Sequence, residues 1–124
     1  MNNPIGWFEI YVDDMSRAKA FYETVFCVNL ASIVDPSDGF AMFGFPSHME
    51  SYGSSGALVC TPSVKAGNNS TVVYFSCEDC ATEGARVTDA GGFVIRQKFA
   101  IGEYGFVTLA KDTEGNLIGL HSLK

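Results

Sequence analysis

The sequence predicts one α+β domain built from two consecutive βαβββ units. Three observations carry this: the chain repeats its pattern at an offset of 65 residues, each copy runs from an apolar strand through an acidic pair into a helical pattern, and matching β signals follow each helix. At that offset "WFEIYVDDMSRAKAFYETV" lies over "VVYFSCEDCATEGARVTDA". Trp7 then falls on Val72, Glu9 on Tyr74, Val12 on Cys77, Asp14 on Asp79 and Ala20 on Ala85.

In the first copy the strand ends at Asp13 and Asp14, and Asp14 is a natural helix N-cap because its carboxylate can accept from an N–H that the first turn leaves free. Met15, Ala18, Tyr22, Val25 and Phe26 follow at three- and four-residue spacings, so one stripe of the helix should face a sheet, with Phe21, Tyr22 and Phe26 on its packed side. The apolar runs "GFAMFGF" (39–45) and "GALV" (56–59) read as strands, separated by the loop "PSHMESYGSSG" (46–56). A second polar segment, "TPSVKAGNNST" (61–71), is the linker between halves. The second copy repeats the order: an apolar strand, Asp79 as cap, a helix carrying Cys80, Val87 and Ala90 that ends at Gly91-Gly92, then "YGFVTLA" (104–110) and "GLHS" (119–122). Unit one spans about 1–62 and unit two about 70–124 of a single domain, 1–124.

Composition bounds the partners. The 124 residues are 47% hydrophobic and 18% charged, enough for a real core. A net charge of −6 and eight dispersed basic residues disfavour nucleic acid and anionic membrane and suit a neutral or cationic small-molecule ligand. The start "MNNPIGWFEI" lacks the basic and apolar pattern of a secretion signal, and no apolar run reaches the ~18–20 residues of a bilayer span, so a cytoplasmic protein is expected. The four cysteines, Cys27, Cys60, Cys77 and Cys80, are expected to be free thiols. "CEDC" (77–80) has redox-motif spacing, yet strand alternation turns Cys77 under the helix, where a thiol acts as core. A mean hydropathy of +0.13 with so few charges leaves surface to hide, so a homodimer is expected.

The repeated unit, the segment "VDDMSRAKAFYETVF" and the ending "DTEGNLIGLHS" together resemble the vicinal oxygen chelate superfamily, which includes glyoxalase I, bleomycin-resistance proteins and extradiol dioxygenases. The resemblance implies that each unit curls into a half-barrel, helices outside, and that the two concave sheets enclose a central cleft. In metal-dependent members four inward side chains hold a divalent cation. Aligned through "VDD" and "EGN", those positions fall on Trp7, on Gly56 or Ala57, on Val72 and on Gly119, none of which offers a ligand atom. True glyoxalase I activity is therefore not expected, and no cofactor is expected; a displaced divalent metal on Glu9 and His121 is the alternative.

Residues two apart on a strand share a face, so Glu9 and His121 should enter the cleft one step beyond the vacated positions. The repeat adds Tyr74 and Leu58 as equivalents. The candidate catalytic set is Glu9, His121 and Tyr74 on a ligand-binding bed of Trp7, Leu58, Val72 and Gly119, with His48 and Tyr52 reaching over from the 46–56 loop. A carboxylate in such a bed should pair with His121 or Tyr74 or take up a proton. Two functions remain open: a binder of a small organic molecule, without the usual metal, and a lyase, isomerase or dioxygenase-type enzyme with Glu9 as base, His121 as acid or orienting group and Tyr74 donating to an oxyanion.

Overall fold

The computed structural model describes residues 3–124, with the side chain of Pro36 excepted. Its elements are β1 (Phe8–Tyr11), α1 (Met15–Phe26), β2 (Ala31–Ser32), β3 (Ala41–Gly44), β4 (Gly56–Cys60), β5 (Val73–Ser76), α2 (Cys80–Val87), β6 (Phe93–Ala100), β7 (Phe106–Lys111) and β8 (Leu117–Ser122). Two short 3₁₀ turns, Pro36–Asp38 and Gly102–Tyr104, interrupt the connections. The strands form two four-stranded sheets of identical order, β1-β4-β3-β2 and β5-β8-β7-β6. In each, the strand before the helix pairs in parallel with the last strand of its unit, and the remaining pairs are antiparallel. These are the two βαβββ units of the repeat, each a half-barrel with its helix on one face.

Both expected caps form. The Asp14 carboxylate accepts from the Arg17 N–H and that of Asp79 from the Ala81 N–H, each relieving one orphan donor of a first turn. α1 ends where Cys27 takes a left-handed conformation at φ 54°. α2 stops at Val87, and the chain leaves it through hydrogen bonds from Gly91 N–H to Thr88 and Gly92 N–H to Val87. At Gly92 a Cβ would stand 2.5 Å from the Phe21 ring, so only glycine lets α1 approach so closely there.

One core spans both units. Phe21, Tyr22 and Val25 of α1 are buried, and the Tyr22 ring meets Phe45 of the first unit and Phe75 of the second, with centroids 5.6 and 5.9 Å away. Phe75 also stacks on Phe26 at 4.4 Å and meets Phe8 edge-on at 5.9 Å. Each such burial contributes about 1.5–3 kcal/mol.

A polar staple closes the same junction. The turn Asp112–Asn116, between β7 and β8, reaches under α1. Glu114, whose side chain has no exposed area, accepts from the backbone N–H groups of Asp13 and Asp14 at 3.0 and 2.9 Å and from Arg17 Nε and Nη2 at 2.7 and 2.9 Å. Burial alone would push its carboxyl up; the donors outweigh that and hold it at about 2. Tyr22 Oη donates to Asp112 at 2.6 Å, and Asn116 Nδ2 donates to the Tyr11 carbonyl at 2.9 Å. The linker is tied down as well: Gly67 N–H donates to Asn116 Oδ1 at 2.8 Å, and Asn69 accepts from the Leu117 N–H at 3.0 Å. Among the described residues no helix is long and apolar enough to cross a membrane, and all four cysteines are free.

Candidate functional site

Alternation along β1 decides which side chains are available. Phe8 and Ile10 turn toward the helix and join the core, which puts Glu9 and Tyr11, with Trp7 just before the strand, on the face that carries no helix. There the three form a clamp. Trp7 Nε1 donates to Glu9 Oε2 at 3.2 Å, and Tyr11 Oη donates to Glu9 Oε1 at 3.0 Å. The hydrogen bond to Glu9, with burial and the carboxylate's charge behind it, raises the Tyr11 phenol. Glu9 itself is exposed, and so is Trp7 at 46%. The clamp is thus an accessible carboxylate held between two aromatic rings.

The second unit presents a different face. Tyr74 is in register with Gly119 and Ser76 with His121, so all four share the helix-free side of β5 and β8. The Tyr74 ring lies flat over Gly119, where any Cβ would collide with it. His121 Nε2 is 2.7 Å from the Tyr104 carbonyl. Beside it, on the same face, the Arg96 guanidinium sits 3.6 Å from the centroid of the Phe99 ring.

Three expectations are corrected. Glu9 pairs with neither His121 nor Tyr74: its donors are Trp7 and Tyr11, two residues away on either side, while His121 takes a carbonyl of the Gly102–Tyr104 turn. Leu58 does not line the helix-free face. In the parallel β1–β4 pair it stands opposite Ile10, fully buried in the core, and it is Ala57 and Val59 that accompany Glu9 and Tyr11. His48 and Tyr52 do not cover the other candidates: both are exposed, Tyr52 at 89%, in the loop between β3 and β4. Val72 is half-buried, two residues before Tyr74 and just outside β5.

Reading the sequence also missed two contributors. Tyr11 was legible, since its spacing from Glu9 puts it on that residue's face. The linker was not, although it walls a cavity of about 230 Å³ at the seam between the units, lined by Glu9, Tyr11, Lys65, Asn69, Thr71 and Leu117 among others. A second cavity, of about 340 Å³, lies between α2 and β6.

Among the described residues, the superfamily's metal finds no fitting donors at its usual positions. Trp7 spends its only polar atom on Glu9, Ala57, Val72 and Gly119 have none, and among the described residues no three His, Cys, Asp or Glu side chains converge.

The glyoxalase/bleomycin resistance protein/dioxygenase family model matches residues 4–120. The chain belongs to that superfamily. Its fold is shared with solved structures of low identity. A glyoxalase-related enzyme from Fulvimarina pelagi superposes with a TM-score of 0.72 at 14% identity, covering 98% of this chain and 88% of the other. TnmS3, an antibiotic binding protein from Streptomyces sp. CB03234, gives 0.69 at 22%, covering 98% and 96%. The E144Q mutant of glyoxalase I from Zea mays gives 0.77 at 19%, covering 97% of this chain but 47% of the maize one. No curated protein matches the chain.

Proposed function

We propose that this glyoxalase-superfamily protein binds a small organic cation, and that the site is the clamp of Trp7, Glu9 and Tyr11. The carrying observation is the Glu9 carboxylate, accessible to solvent and oriented by an aromatic donor on each side. A cation placed there meets a negative charge held in position by the polar edges of two aromatic rings. The chain's charge of −6 favours the same ligand. An antibiotic binding protein of matching length among the structural neighbours supports a binding role for this fold without a required reaction.

The protein acts as a homodimer. Ile33, Tyr74 and Phe93 expose 50–66% of their area on the helix-free faces, the kind of apolar surface that a second copy covers. Four free thiols accord with a reducing, cytoplasmic setting.

Calorimetry with choline and its neutral isostere 3,3-dimethylbutan-1-ol tests the reading. The wild type should bind the cation and not the alcohol, and Glu9→Gln should weaken the cation about tenfold or more, the scale of one charged partner. Equal affinities for the two molecules would refute it.

A further inference from the structure

The seam cavity has a chemistry of its own. One wall is β1, an edge strand paired only with β4, whose backbone on the other side faces the second unit, as the bond from Asn116 to the Tyr11 carbonyl shows. The opposite wall is the linker. Lys65 lines the cavity and has no ion-pair or hydrogen-bond partner among the described residues. The segment that carries it is fixed: Ala66 N–H donates to the Asp13 carboxylate at 3.1 Å, Gly67 N–H to Asn116 at 2.8 Å, and Asn69 Nδ2 to the carbonyls of Thr71 and Leu117 at 2.6 and 3.1 Å. Glu9 and Lys65, residues of opposite charge, therefore line one space of about 230 Å³ whose linker wall is held in place.

We propose that the seam cavity is a subsite for the anionic end of a zwitterionic ligand, with Lys65 receiving a carboxylate while the ligand's cationic head sits at the clamp of Trp7, Glu9 and Tyr11. This rests on the cation-binding reading of Glu9 and extends it to the ligand class. A chain of net charge −6 repels free anions, so an anionic group enters this cavity tethered to a cation that Glu9 attracts. The cavity has room for a compact zwitterion, such as a betaine or a small α-amino acid.

Calorimetry with three probes of one head shape separates the two readings: choline, glycine betaine and pivalate. The wild type should bind betaine at least fivefold tighter than choline and should not bind pivalate. Lys65→Met should remove that preference by weakening betaine relative to choline, with choline itself bound no more weakly than by the wild type because a nearby positive charge is lost, whereas Glu9→Gln should weaken both cations. A preference that survives in Lys65→Met, or choline bound as tightly as betaine by the wild type, would overturn the seam subsite alone. Failure of both cations to bind would overturn it together with the reading of Glu9.

Discussion

Arg17 of α1 and Glu114 of the β7–β8 turn lie 97 residues apart in sequence and form a two-pronged ion pair, at 2.7 and 2.9 Å, across the junction of the two units. The carboxylate also terminates the backbone at Asp13 and Asp14, so one buried side chain fixes where β1 hands over to α1. That fixes the unit carrying Glu9 against the unit carrying the cavity's far wall.

Removing Glu114 should therefore cost more than an ordinary ion pair. Glu114→Ala strands two part-buried N–H donors as well as Arg17, and a loss of about 3–5 kcal/mol is expected. Arg17→Ala, at a half-exposed position, should cost less. Urea denaturation of the three proteins measures both, and equal losses would contradict the staple.

Acid should act through the same residue. The Glu114 carboxyl lies at about 2 in the folded chain against an ordinary 4.5, so its contribution is fully present above about 4.5 and is lost as pH falls toward 2. That contribution is on the order of 2–3 kcal/mol. Glu23, Asp35 and Asp79 are also lowered but lie near the surface and should add little. Melting temperature followed from pH 6 to pH 2 should fall steeply in the wild type and more gently in Glu114→Gln.

The thiols should divide by burial. Burial first, then the neighbouring Glu83 carboxylate, push Cys77 up to about 12, and Cys80 is fully buried, whereas Cys27 is exposed. Alkylation at pH 8 followed by peptide mapping should mark Cys27 and leave Cys77 and Cys80 unmodified until the chain is unfolded. Rapid labelling of Cys77 would revive a redox role for "CEDC".

Much of the fold was legible because the determining signals are local. Asp14 and Asp79 precede apolar stripes, and alternation in "FEIY" assigns Glu9 and Ile10 to opposite faces without any tertiary information. Leu58 failed for a stated reason: the register of the parallel β1–β4 pair is set across the sheet, and a one-residue offset moves a side chain to the other face. The pairing of Glu9 with His121 failed likewise, since which residues two strands of different units bring together depends on contacts such as Arg17–Glu114. "DTEGN" was legible as a turn, but its binding of α1 and β1 was not.

Association should depend on the helix-free faces. Light scattering at micromolar concentration should give twice the mass of one chain, and Phe93→Glu, at a 66% exposed position on the second sheet, should shift it toward one chain. A wild type at the mass of a single chain would contradict the homodimer.

Trp7 is the sole tryptophan of the chain and donates directly to Glu9, so its fluorescence reports on the clamp. Titration with choline should change that emission saturably in the wild type, and the midpoint should move about tenfold or more to higher concentration in Glu9→Gln. An emission that does not respond, or a midpoint identical in the two proteins, would contradict cation binding at Glu9.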